Sequence, residues 1–193
     1  MQLEGPTGSC QNAAMTKEVM VRRLKPEDVQ RIREIDRTET VRVGYRMDQG
    51  RLIQMDVVWD SSPWRDDGSE HSFQHRIEFL ERVLTDDGTL LGAFAGERLV
   101  GLAAFRPRLT ETMGQLAFLH VSNGHRRRGI ATWLVAEIVQ MAKQSGAQEL
   151  YVSATPSQSA VGFYLSRGFR PTRDPHPQLL EEEPDDIHMT MRL

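Results

Sequence analysis

The chain has 193 residues, 39% of them hydrophobic, a formal net charge of −3 and a single cysteine. This length suits one domain with a substantial core, and the negative balance argues against a general binder of nucleic acid or anionic membrane. The lone Cys10 excludes an internal disulfide and a cysteine-based zinc site, and no apolar run approaches the roughly 20 residues of a membrane span.

Residues 1–17 lack the basic start and apolar centre of a signal peptide. They read as a disordered leader ahead of one domain over 18–193, and a cytoplasmic protein is expected. Val19–Leu24 reads as a strand. Pro26 suits a helix start, and Val29, Ile32 and Ile35 supply an apolar stripe. Val41–Met47 and Leu52–Trp59 flank Asp48-Gln49-Gly50 and predict a β-hairpin. It lies within a segment, 38–68, that also carries Tyr45, Trp59 and Trp64. A second helix is predicted from about Ser69 to Leu84, then a hairpin of Thr89–Ala95 and Arg98–Phe105 turning at Gly96-Glu97.

The run Gln115–Val121 is strand-like. After it come Arg126-Arg127-Arg128-Gly129-Ile130-Ala131, and then apolar residues at helical spacing: Leu134, Val135, Ile138, Val139 and Ala142. A strand therefore feeds a glycine-containing loop that opens a helix. The first N–H groups of such a helix lack intrahelical partners, and the helix dipole adds partial positive charge there. Glycine admits a phosphate close to the backbone, and the arginines add charged donors. The pattern is neither the dinucleotide fingerprint nor a P-loop. Glu149–Ala154 is a further strand, Ser157–Arg167 a short helix ended by Gly168, Pro171–Asp186 a loop rich in proline and acid, and Ile187–Leu193 a last strand. Hairpins mixed with strand–helix–strand crossovers indicate one mixed α/β sheet flanked by helices.

In element order and in two motifs the chain resembles the GNAT (Gcn5-related) superfamily of N-acetyltransferases. Arg126-x-x-Gly129-x-Ala131 matches that family's [Q/R]-x-x-G-x-[G/A] loop. Ala160–Phe169 reads like its late helix, A-x-x-F-Y-x-x-x-G-F. The resemblance implies an α/β fold with a twisted mixed sheet whose two central parallel strands splay apart to admit acetyl-CoA. It implies a pyrophosphate on the N–H groups of Arg126, Arg127, Arg128, Gly129, Ile130 and Ala131, with Thr132 as an extra donor. The pantetheine arm would then pair with the main chain of Leu119 and Val121. Ser157 stands where relatives often carry asparagine, and it can still cap the helix.

For catalysis the resemblance implies Tyr164 as the general acid and the Val121 N–H as the donor to the thioester oxygen. The base is open. Gln115 stands where histone-type relatives carry glutamate. His120 has a suitable intrinsic pKa but points to the strand face opposite Leu119 and Val121. Glu34, Asp36, Glu39 or Asp56 would act through water. His71 and His75, four apart, read as solvated surface, and no metal is expected. The acidic run Glu181–Asp186 reads as a solvated loop, with attraction of a cationic acceptor as its functional alternative.

The resulting expectation is an acetyl-CoA-dependent N-acetyltransferase, transferring directly in a ternary complex to a small-molecule or peptide amine. Segment 38–68 would build the acceptor site or a homodimer contact. Nucleic acid and membrane are not expected partners. The alternative is a catalytically weak acyl-CoA-binding regulatory module.

Overall fold

The computed structural model describes residues 19–69 and 72–193; the expected leader, and His71 of the histidine pair, lie outside them. In chain order the elements are β1 (Val19–Arg23), a 3-10 helix (Pro26–Glu34), β2 (Glu39–Asp48), β3 (Arg51–Ser61), α1 (Phe73–Thr85), β4 (Thr89–Ala95), β5 (Arg98–Arg106), β6 (Met113–Val121), α2 (Ile130–Gln144), β7 (Glu149–Ala154), α3 (Gln158–Ser166), β8 (Arg170–Pro171), α4 (Pro177–Glu182) and β9 (Ile187–Arg192).

The short strand β8 and a 3-10 turn over Asn123–His125 add to the expected elements, and two further differences have a local reason. The first helix is 3-10 throughout. Its apolar residues, Val29, Ile32 and Ile35, recur strictly every three positions, the spacing that stacks side chains on one edge of a 3-10 helix. Within the loop expected over Pro171–Asp186, α4 forms with Pro177 in its first turn and a Gln178–Glu182 hydrogen bond of 2.9 Å. The β2–β3 hairpin is as expected. Its turn residues Gln49 and Gly50 both have positive φ, +46° and +76°, as a two-residue turn matching strand twist requires.

The main sheet runs β1-β4-β5-β6-β7-β9-β8, and β2–β3 form a separate two-stranded sheet. Strands β6 and β7 are parallel at its centre but pair only over Met113↔Glu149, Gly114↔Leu150 and Gln115↔Tyr151. Beyond Gln115 they part. The register of β6 against β5 shifts at the same place, from Phe105↔Leu116 to Ala104↔Phe118, leaving Ala117 as an extra residue in β6. Such a bulge bends its strand and increases the local twist, which carries β6 away from β7. It also resets alternation, so Leu116 packs toward α2 and Phe118 toward α1.

One face of the sheet is covered by α2 and α3. There Ile130, Leu134, Val135, Ile138 and Ala142 meet Ala103, Leu116 and Val152. The 3-10 helix and α1 cover the other face, through Val29, Ile32, Ile77, Leu80 and Val83. The hairpin docks at the start of α3, where the Tyr45 N–H donates to the Pro156 carbonyl at 3.1 Å. No helix among the described residues is long and apolar enough to cross a membrane. The α1–β4 corner is closely packed. A Cβ on Gly88 would fall 2.8 Å from the Phe105 carbonyl oxygen and nearer still to that of Val83. Both neighbours are backbone, so Gly88→Ala is expected to lower stability by about 1–3 kcal/mol, read as a lower urea midpoint at unchanged slope.

Candidate active site

Where β6 and β7 part, a groove of about 2240 Å³ opens through the sheet. This exceeds the ~300–1,000 Å³ of an ordinary small-molecule pocket and leaves room for two reactants. The pairing of β6 with β5 decides which backbone groups face the gap. The Ser122 N–H donates to the Val100 carbonyl at 2.8 Å, and the register continues through Gly101↔Val121, Leu102↔His120 and Ala103↔Leu119. In an antiparallel pair hydrogen-bonded and non-bonded positions alternate, so His120 points its backbone groups at β5 while Leu119 and Val121 point theirs into the groove. The Val121 carbonyl is held there by Arg126 Nε at 3.1 Å.

At one mouth of the groove α2 begins. Gly129 is its N-cap in the left-handed conformation, φ +81°, and no side chain caps the helix. The first intrahelical bond runs from the Trp133 N–H to the Gly129 carbonyl at 3.0 Å, so the N–H groups of Ile130, Ala131 and Thr132 precede it and are free of the ladder. A Cβ on Gly129 would meet nothing within 4 Å. That open space before a bare helix terminus fits a diphosphate.

The three arginines of the loop do different things. The Arg126 guanidinium is turned inward: besides Val121 it donates to Glu39 Oε2 at 2.8 Å and to the Arg37 carbonyl at 3.1 Å. It therefore ties β6 to β2 and is not the charged phosphate donor expected of its side chain. Its N–H is also used, donating to the Asn123 carbonyl at 3.2 Å. Arg127 is exposed at the mouth, with φ +61°, whereas Arg128 is exposed but does not line the groove.

Tyr164 lines the groove from α3, buried and in edge contact with Phe163 and Phe169, their ring centres 5.4 and 5.3 Å away. Ser157 caps α3 as expected, its Oγ accepting from the Ala160 N–H at 3.3 Å. Burial, and then the charge of Asp186, push the Tyr164 pKa well above the ordinary tyrosine value. The phenol is therefore fully protonated at neutral pH. Asp186 also lines the groove. Its own pKa is pushed up to about 7 by burial and by the neighbouring charges of Glu183 and Asp185.

A buried network fixes the loop that carries Asp186. The Glu183 carbonyl, which can only accept, lies 3.1 Å from His188 Nε2, so that nitrogen bears the hydrogen. His188 Nδ1 then accepts from the Tyr151 hydroxyl at 2.8 Å, and that hydroxyl accepts from the His176 N–H at 3.1 Å. Asp186 reads in sequence as one of several solvated acids. Its only signal there is its place directly before the last strand, and the burial that distinguishes it is tertiary.

The opposite wall is basic and aromatic. His120 turns away from Leu119 and Val121, as strand alternation predicts, and packs on Trp64 and Phe118 at 5.0 and 4.7 Å between ring centres. Burial, then Arg37, Arg126 and Arg76, depress its pKa to about 3. A base works best with a pKa near the working pH, so His120 is poorly suited to that role. The other acids considered as bases are engaged in the fold. Glu34 accepts from the Leu99 N–H and pairs with Arg31, Asp36 accepts from Thr38, and Glu39 pairs with Arg126. Asp56 is exposed on β3 and does not line the groove. Gln115 is buried, its Oε1 accepting from Arg106 Nη1 at 3.4 Å. His75 lines the groove wall, and among the described residues no group of three metal-ligating side chains occurs.

Residues 55–169 match the family model described as "Acetyltransferase (GNAT) family". N-acetyltransferase 8B of Rattus norvegicus is 31% identical over 124 residues, 61% of this chain and 56% of that one. The chain thus spans about half the length of the curated relatives it matches. Among solved structures, nourseothricin acetyltransferase superposes with a TM-score of 0.69 at 17% identity, covering 91% of this chain and 99% of that one. The PaiA N-acetyltransferase from Thermoplasma acidophilum, solved with coenzyme A, does so at 0.59 and 18%, covering 91% and 99%.

The roles of the loop arginines are separable. Arg126→Met removes three hydrogen bonds and is expected to cost on the order of 2 kcal/mol of stability. Arg127→Met, at an exposed position, should stay within about 0.5 kcal/mol of the wild type. Urea unfolding of both variants checks this.

Proposed function

Because the chain belongs to the acetyltransferase (GNAT) family, we propose that it moves the acetyl group of acetyl-CoA to a primary amine by direct transfer in a ternary complex. The observation that carries this reading is the groove itself: a bare helix terminus at one mouth, a strand edge with inward-facing amides along it, and a protonated tyrosine beside a carboxyl at its centre. Relatives named as N-acetyltransferases, and a structural neighbour solved with coenzyme A, support it.

In this reading the N–H groups of Ile130, Ala131 and Thr132 hold the pyrophosphate, with Arg127 adding charge at the mouth. The pantetheine amides pair with Leu119 and Val121 as an added strand would. The Val121 N–H faces the thioester oxygen and stabilises charge developing on it. The β2–β3 hairpin walls the groove where the acceptor enters.

Asp186 serves as the base. An alkylamine has a solution pKa of about 10.4, so it arrives as ammonium and must lose a proton before its nitrogen attacks the carbonyl carbon. As the C–N bond forms and the C–S bond breaks, Tyr164 gives its proton to the departing sulfur. The second proton of the nitrogen, released once the C–N bond has formed, restores the Tyr164 hydroxyl, and Asp186 then gives its own proton to solvent. The two groups are coupled. While ionised, Asp186 holds the Tyr164 proton tightly. Once it has taken the proton of the amine its charge vanishes, and Tyr164 becomes a better acid at the step that needs one.

Calorimetric titration with acetyl-CoA tests the cradle. Gly129→Glu, which places bulk and negative charge before the helix terminus, should weaken binding by about tenfold or more. Wild-type protein that binds no acetyl-CoA would refute the reading. Tyr164→Phe should lower kcat about 100-fold with acetyl-CoA affinity nearly intact.

The base is tested by pH. With an acceptor whose amine titrates well above pH 8, kcat/KM should rise through an inflection near pH 7 as Asp186 ionises. Asp186→Asn should lose that inflection together with most of the rate. A raised folded-state pKa means that the fold favours the protonated acid. That stability is complete below the unfolded pKa and is lost as pH rises through about 7. Asp186→Asn should therefore be no less stable than the wild type at pH 8, and a lower melting temperature there would point to a structural role instead.

A further inference from the structure

Three of the half-buried arginines have carboxylate partners. Arg22 lies 2.8 Å from Asp28, Arg31 2.7 Å from Glu34, and Arg126 2.8 Å from Glu39. Arg37 and Arg106, both lining the groove, are exceptions: among the described residues neither forms an ion pair, and the Nε of each is buried without a hydrogen-bond partner. Arg37 lies over the Trp64 ring at 5.3 Å and Arg106 over the Phe79 ring at 5.2 Å. Between them Trp64, Phe118 and Phe79 form a continuous aromatic row, with ring centres 6.0 and 6.4 Å apart.

This wall belongs to the α1 face of the sheet, whereas the helix terminus at Gly129 opens from the α2 face. The two therefore serve different reactants. A guanidinium drawn partly out of water without a counter-ion bears a desolvation cost, and here that cost is compounded by crowding of like charge. Burial, and then Arg76 and Arg126, lower the Arg37 pKa, and the same cations help keep His120 neutral. An anion arriving beside Arg37 relieves that cost and gains charge-assisted hydrogen bonds of carboxylate geometry.

We propose that the acceptor is an amine that also bears a carboxylate, bound by Arg37, with an apolar substituent lying along Trp64, Phe118 and Phe79. This rests on the acetyltransferase reading above and names the substrate class of the same groove. Arg106, at the far end of the aromatic row, favours substituents that end in a polar group. Acceptors that carry only positive charge bring Arg37 no counter-ion and are disfavoured, as are plain arylalkylamines.

The test uses matched acceptors with saturating acetyl-CoA: phenylalanine, phenylalaninamide, phenethylamine and spermidine. The expected kcat/KM for phenylalanine is tenfold or more above that of each of the others, mostly through KM. In Arg37→Met the ratio of phenylalanine to phenylalaninamide should collapse toward one, and Arg37→Lys should restore part of it. Circular dichroism and the melting temperature of each variant report that it is folded, and acetyl-CoA affinity is measured separately. A parallel titration of the CoA-bound protein with N-acetylphenylalanine and with its amide needs no turnover, and only the acid should bind measurably and in an Arg37-dependent way. Equal or better use of phenylalaninamide, phenethylamine or spermidine would overturn the proposal while leaving the acetyltransferase reading intact. Loss of acetyl-CoA affinity in Arg37→Met would also overturn it, by assigning Arg37 to the donor. Wild-type protein that neither binds acetyl-CoA nor acetylates any acceptor removes the underlying reading, and this proposal with it.

Discussion

Two parallel strands at the centre of a sheet ordinarily hydrogen-bond along their length, because a buried N–H without a partner is costly. In this protein β6 and β7 stop pairing after Gln115 and Tyr151, and everything that resembles a site follows from that break. The extra residue at Ala117 bends β6 away while β5 still pairs with its other edge. The groups freed on the inner edge, at Leu119 and Val121, lie in the middle of the domain, where an incoming amide-bearing chain can satisfy them. The same bulge resets which side chains face which layer, so the groove has an aliphatic side toward α2 and an aromatic side toward α1.

Arg126 stabilises this open arrangement. Its three bonds join the end of β6, the start of β2 and the segment after the 3-10 helix. By holding the Val121 carbonyl it secures the strand end just where pairing with β7 is missing. In the proposed reading, phosphate binding is thereby left chiefly to backbone groups at the uncapped start of α2, a rigid element whose donors need no reorganisation. Gly129 matters both for its φ of +81°, a left-handed conformation that side chains rarely adopt and that turns the chain from loop into helix, and for the empty space before it.

The groove separates charge although the chain as a whole is nearly balanced. Burial, reinforced by arginines on one wall and by acids of the α4–β9 loop on the other, favours the neutral form of each titratable neighbour: it depresses the His120 pKa and raises that of Asp186 to about 7. The Tyr151–His188–His176 network gives the acidic loop a fixed position. In the proposed reading, proton chemistry falls to Asp186 and Tyr164, and the opposite wall serves recognition.

Much of this protein was legible in one dimension. Alternation and helical spacing predict most strands and helices, and the pairing of Arg126-x-x-Gly129-x-Ala131 with the Ala160–Phe169 helix points to the family. These signals are local, set by residues within a few positions of one another. The roles that depend on distant partners were not legible. Arg126 reads as a phosphate donor because Glu39 and the Arg37 carbonyl are 87 and 89 positions away. Asp186 reads as one acid in a solvated run because only folding buries it beside Tyr164. The bulge at Ala117 is a register shift between two strands and leaves no mark in the residues of either. Sequence by itself determined the family and the order of most elements. Tertiary structure alone decided where the sheet opens, which arginines lack a counter-ion among the described residues and which carboxyl titrates near neutrality, because pairing register and burial are properties of contacts between segments far apart in the chain.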